Sequence, residues 1–167
     1  MPSKQILVVL VNNKPGVLNR VASLFRRRGF NIESIAVGLS EQPDISRMTI
    51  VVDGSTGKLE QVRKQLDKLI DVIKILDLGA DNTVVRELAL IKVKATAETR
   101  GSIIQIVDIF RAGIVDVSSD SLIVEVTGDK DKVDSLYNLL RPFGIKEVAR
   151  TGYLAMNRGN LISAQEK

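Results

Sequence analysis

Apolar positions along the chain switch between two periods. Ile6-Leu7-Val8-Val9-Leu10-Val11 is a continuous, β-branched run and predicts a central strand. Asn12-Asn13-Lys14-Pro15-Gly16 breaks it with turn residues. Leu18, Val21, Ala22 and Phe25 then recur at helical spacing. Gly29, after Arg26-Arg27-Arg28, stands where a left-handed residue ends a helix of about 13 residues. Phe30–Val37 reads as a second strand closed by Gly38, and Leu39–Ile45 as a loop. Met48, Ile50 and Val52 alternate as a third strand, followed by an Asp53-Gly54-Ser55-Thr56-Gly57 loop. Leu59, Val62, Leu66 and Leu69 mark a second helix, Val72–Leu78 a fourth strand, and Gly79-Ala80-Asp81-Asn82 a linker.

The order then repeats. Val84–Ala95 is strand-like, and Ile103, Ile106, Val107 and Phe110 form a helical stripe ended by Gly113. Ile114–Val117 and Leu122–Val126 flank Ser118-Ser119-Asp120-Ser121 as a hairpin. Asp129 caps a helix carrying Val133, Leu136, Tyr137 and Leu140, which Pro142 and Gly144 stop. Ile145–Thr151 is a last strand, and the chain from Tyr153 onward is polar and aperiodic.

Strand–helix–strand–strand–helix–strand, twice over, predicts an α+β protein of two ferredoxin-like βαββαβ domains, residues 1–79 and 83–167, the latter ending in a polar tail. Each sheet carries both helices on one face. Apolar residues on both faces of the first strand imply that its bare face packs on something, most simply a partner subunit or the sister domain.

Composition removes much chemistry. The 167 residues include no Cys, His or Trp. Disulfides, Cys/His zinc sites, thiol nucleophiles and imidazole-based triads are therefore excluded. No apolar run approaches the roughly 20 residues that cross a bilayer. Met1-Pro2-Ser3-Lys4 leads straight into a strand, so no signal or transit peptide is expected and the expected compartment is the cytoplasm. Net charge is +4, all of it in residues 1–80, where 12 basic side chains face 8 acidic ones. Arg26-Arg27-Arg28 reads better as a solvated last turn complementing the helix dipole than as a nucleic-acid patch.

One turn could do more than punctuate. Asn13-Lys14-Pro15-Gly16-Val17-Leu18 joins a buried strand to a helix N-terminus, where the first N–H groups lack intrahelical partners and the dipole end is positive. Pro15 fixes the entry, and Gly16 leaves room for a small anion. A carboxylate suits the turn better than a phosphate, since the G-x-x-x-x-G-K pattern is missing. Asn13 and Asn31 offer amides, the latter beside Ile32. The same residues also read as an ordinary helix start.

These residues carry a resemblance. Lys14–Ile35 (KPGVLNRVASLFRRRGFNIESI) resembles the opening of an ACT domain, a small-molecule regulatory module. Arg47–Val52, Gln65–Val72, Arg86-Glu87-Leu88, Asp108–Ser118 (DIFRAGIVDVS) and Gly144–Gly152 (GIKEVARTG) resemble the small, regulatory subunits of acetolactate (acetohydroxyacid) synthase. The likeness runs to about Arg158. It implies a catalytic large subunit as partner, carrying thiamine diphosphate, Mg²⁺ and FAD, with no cofactor in this chain. It also implies activation of that partner in branched-chain amino-acid synthesis and feedback inhibition by valine, leucine or isoleucine. Motif matching puts Asn13, Pro15, Gly16, Val17 and Leu18 in the effector loop and Asn31 and Ile32 facing it, with Pro15 at a variable place. In ACT dimers second strands meet, so Asn31 would serve the neighbouring copy's ligand, with valine's isopropyl group on Val17 and Ile32.

Three other readings are weaker. RNA-recognition modules share this element order but stack bases on strand aromatics, and Ile6–Val11 and Arg47–Asp53 contain none. A stand-alone amino-acid-sensing ACT protein would not need the second half's motifs. An enzyme could draw on Asp116, Asp120 and Glu125, which read instead as turn and solvated strand positions, so no catalytic or metal-ligating residue is assigned.

Overall fold

The computed structural model describes residues 4–54 and 59–159. The Met1-Pro2-Ser3 leader reading, the Ser55-Thr56-Gly57 turn and the end of the tail lie outside them. Two compact units emerge. The first runs to Val84 and takes up the chain again from Tyr153; the second is Val85–Gly152.

The first unit contains β1 (Lys4–Asn12), α1 (Val17–Arg27), β2 (Ile32–Leu39), β3 (Ile45–Asp53), α2 (Leu59–Leu66) and β4 (Val72–Leu78). Its antiparallel sheet has the order β2-β3-β1-β4, the expected ferredoxin-like arrangement. Helix α1 is shorter than expected because it ends at Arg27, with Arg28 as its C-cap. Leu7, Val9 and Val11 of β1 and Met48, Ile50 and Val52 of β3 face one core with Val21 and Phe25 of α1 and Val62 and Leu66 of α2. Phe25 and Phe30 meet edge to face, ring centres 6.4 Å apart.

The second unit repeats the plan with β5 (Thr83–Lys94), α3 (Arg100–Ile109), β6 (Gly113–Val117), β7 (Ser121–Gly128), α4 (Lys130–Leu140) and β8 (Ile145–Arg150), in the order β6-β7-β5-β8. Ala89, Ile91 and Val93 of β5 pack with Ile103, Val107, Leu136 and Leu140 of the helices. Asp129 caps α4 as expected, its carboxylate accepting from the Lys132 N–H at 2.9 Å.

The tail departs from expectation. Leu154–Asn157 forms a further strand, β9, and the second unit ends at Gly152 rather than at residue 167. Four residues are too few for a hydrophobic period to register. This segment also bears on the first sheet's second face. Val8, Thr49 and Val51 point away from the helices yet are buried. On the same face Arg47 donates to the Ala155 carbonyl at 2.7 Å, and Ser34 Oγ accepts from the Tyr153 N–H at 2.9 Å. The chain's own end, not only an outside partner, therefore meets that face.

Candidate functional site

The β1–α1 turn is built by backbone constraints. Gly16 caps α1 with φ 85°, a left-handed conformation that glycine adopts without the Cβ penalty. No side chain caps the helix, and its first turn holds no acidic residue. The first turn of α1 thus sets no carboxylate of its own against the helix's positive end. A Cβ on Gly16 would meet the Arg20 guanidinium at 4.0 Å, an ordinary contact, so the restriction there is conformational rather than steric. The Asn13 N–H donates to the Asp44 carbonyl at 2.8 Å, which ties the turn to the β2–β3 loop. Asp44 is itself left-handed, φ 63°.

The turn residues differ in what they present. Asn13, Pro15 and Gly16 are exposed, and Leu18 keeps 48% of its surface. Val17 is 3% exposed and its side chain belongs to the core, while its backbone stands at the helix end. Ile32 is half-buried against the same core, and Asn31 is exposed.

Register separates the two asparagines. Ile32 pairs with Val52, which lies opposite Gln5 near the start of β1. Leu39 pairs with Ser46, opposite Val11 at the end of β1. Asn31 and Asn13 therefore stand at opposite ends of the sheet, roughly 30 Å apart at about 3.3 Å per residue. One copy of the domain does not bring them together. Strand β2 is an edge of the sheet, with Val37 46% and Leu39 79% exposed.

Two neighbours of the turn escaped the sequence reading. Arg20 of α1 forms an ion pair with Asp71, which is 6% exposed and follows α2. Asp71 also accepts from Asn12, through its backbone carbonyl at 2.9 Å and its carboxylate at 3.4 Å. Partners 51 and 59 residues apart leave no local signal in a sequence.

Comparison with known proteins decides the family. The description "AHAS small subunit-like ACT domain" matches residues 7–74, and "Small subunit of acetolactate synthase" matches 86–159. The acetolactate synthase small subunit of Mycolicibacterium smegmatis is 58% identical over 153 residues, 92% of this chain and 90% of that one. A protein of Archaeoglobus fulgidus named for the same subunit is 60% identical over 157 residues, 94% and 98% of the two chains. The crystal structure of the Thermotoga maritima small subunit superposes with a TM-score of 0.89 at 47% identity, covering 95% of this chain and 99% of that one. The chain belongs to the acetolactate synthase small-subunit family.

Small subunits of this synthase are regulatory parts of an enzyme complex and imply a catalytic large subunit as partner. In this small subunit, two stretches that carried the resemblance meet in one cluster. Arg150, from GIKEVARTG, bonds both oxygens of Glu87, from Arg86-Glu87-Leu88, through Nε at 3.3 Å and through a close Nη2 contact. The Glu87 side chain is 2% exposed. Arg150 Nη2 also reaches Asp134 at 2.8 Å. Hydrogen bonding to Glu87, and then to Asp134, pushes the guanidinium pKa upward. On the hairpin, Lys146 lies 2.9 Å from Asp120, and its hydrogen bond and charge lower that carboxyl below its ordinary value. Asp120 is thus occupied by a lysine rather than gathered with Asp116 and Glu125. No group of three or more acidic side chains among the described residues could hold a metal ion. Among the same residues no helix is long and apolar enough to cross a membrane.

Proposed function

We propose that this small subunit binds and activates a catalytic acetolactate synthase subunit and makes it sensitive to valine or another branched-chain amino acid held at the β1–α1 turn. The large subunit would carry thiamine diphosphate, Mg²⁺ and FAD. The observation that carries the reading is the left-handed Gly16 at an α1 N-terminus with no side-chain cap and no acid in its first turn. The effector's carboxylate lies on the backbone N–H groups of Gly16 and Leu18. Its ammonium meets an asparagine amide oxygen, and its branched side chain meets Ile32 rather than the core-bound Val17.

A dimer supports the same reading. Two copies whose β2 edges meet antiparallel about a two-fold axis bring the start of one β2 beside the end of the other. Asn31 of the second copy then comes level with the corner where Asn13 bonds Asp44. The ligand is shared, so binding changes how the copies meet. Coupling of about 1–3 kcal/mol changes affinity or activity 5- to 150-fold.

The test is acetolactate formation by the catalytic subunit with and without this chain, titrated with L-valine. The wild-type chain raises the rate and confers inhibition. Gly16→Asp and Asn13→Ala keep the activation and lose the inhibition, Gly16→Asp because its new carboxylate stands where the effector's would. Full inhibition in both variants refutes the site, and failure to raise the rate refutes the partnership.

A further inference from the structure

The β1–α1 turn is held from outside itself. Asp71 sits between α2 and β4, directly before the core residue Val72, and its own carbonyl is bonded to β1, so its backbone position is fixed. The side chain turns toward β1 and α1 rather than toward solvent. Its Oδ1 accepts from Asn12 Nδ2 at 3.4 Å, and its backbone carbonyl accepts from the Asn12 N–H at 2.9 Å. Its Oδ2 holds Arg20 Nη1 in an ion pair. Asn12 immediately precedes the turn. Arg20 closes the first helical hydrogen bond after it, its N–H donating to the Gly16 carbonyl at 3.1 Å. One buried carboxylate thus grips both ends of Asn13–Gly16.

We infer that Asp71 is the positioning residue of the effector turn, fixing through Asn12 and Arg20 the direction in which the Gly16–Leu18 N–H groups point. The claim rests on the effector reading above. The turn has few bonds of its own: Asn13 N–H to the Asp44 carbonyl, Lys14 N–H to the Asn12 carbonyl at 2.9 Å, and Val17 N–H to the Lys14 carbonyl at 3.4 Å. An exposed turn containing a glycine loses conformational freedom when it binds a ligand, and prior ordering removes that cost. Asp71 supplies the ordering without touching the ligand. A carboxylate so little exposed needs both partners, so Asp71 and Arg20 act as one unit rather than as two independent contributions.

The experiment uses the full-length chain and compares Asp71→Asn, Arg20→Gln, the double variant, and Leu136→Ala as a control in the core of the second unit. Amide hydrogen exchange is measured without ligand, and L-valine affinity by calorimetry. Asp71→Asn speeds exchange at Asn13, Lys14 and Val17 at least tenfold and weakens L-valine at least tenfold. Arg20→Gln does the same, and the double variant is no worse than either. Leu136→Ala lowers thermal stability and leaves turn exchange and affinity at wild-type values. Wild-type turn exchange or wild-type affinity in Asp71→Asn overturns the assignment, as does a double variant in which the two losses multiply. A wild-type chain that binds no L-valine overturns the effector reading instead, and turn exchange alone then decides the role of Asp71.

Discussion

Replacing Arg150 by Met isolates the largest electrostatic liability in the second unit. Glu87 has 2% of its side chain exposed, and Arg150 bonds both of its oxygens. Removing the cation leaves a buried carboxylate without its charge partner. Breaking a buried pair in this way costs about 3–5 kcal/mol. Arg150 is itself 37% exposed, so solvent screening brings the expected loss to about 2–3 kcal/mol. Asp134 also loses a contact, but water can replace it there. In a unit of this size such a loss lowers the melting temperature by about 10–20 °C. Urea unfolding followed by far-ultraviolet circular dichroism reads it directly. Substituting both partners, Glu87→Leu with Arg150→Met, removes the unpaired charge and recovers most of the stability. A loss under about 1 kcal/mol in Arg150→Met, or a double variant as unstable as the single one, refutes the reasoning.

Three further outcomes follow from single contacts. Arg47→Ala loses a charged hydrogen bond worth about 1.5–3 kcal/mol and speeds amide exchange across Leu154–Asn157 while the β1 core stays protected; unchanged exchange in β9 counts against that contact. The Asp120 carboxyl is lowered from 3.8 by Lys146, so its contribution is intact above that value and is lost only as pH falls through the lower folded value. Carboxyl carbon resonances followed through acid titration show the low midpoint, and Lys146→Ala moves it upward. Placing Asp at both Val37 and Leu39, the exposed apolar positions of edge strand β2, weakens self-association at least tenfold in sedimentation equilibrium, whereas an unshifted dimer argues against β2 edges meeting.

Much of the architecture is legible because each element carries its own local signal. Alternation in Met48, Ile50 and Val52 and helical spacing in Val21 and Phe25 both end on one core, and Asp129 caps α4 where its residue type requires. The turn at Gly16 is legible for the same reason, since Pro and Gly between a strand and a helix leave few conformations. What escapes the sequence is long-range. Asp71 meets Arg20 from 51 residues away, and Tyr153 meets Ser34 from 119, so no periodicity marks either contact. The distance between Asn31 and Asn13 also escapes the sequence, because only the strand register sets Asn31 at the other end of the sheet, as a residue serving a neighbouring copy would be. The direction of the Val17 side chain is hidden for a simpler reason: a helix's first apolar residue can face the core or the surface, and packing here turns it to the core.

The most direct measurement is a titration of the isotope-labelled chain with L-valine, read by amide chemical shifts. The account predicts saturable shifts at Gly16, Val17, Leu18, Asn13 and Asn31 together, even though one copy holds the two asparagines at opposite ends of its sheet. Saturable shifts that leave these amides unmoved and cluster elsewhere, or no shifts at all, contradict it.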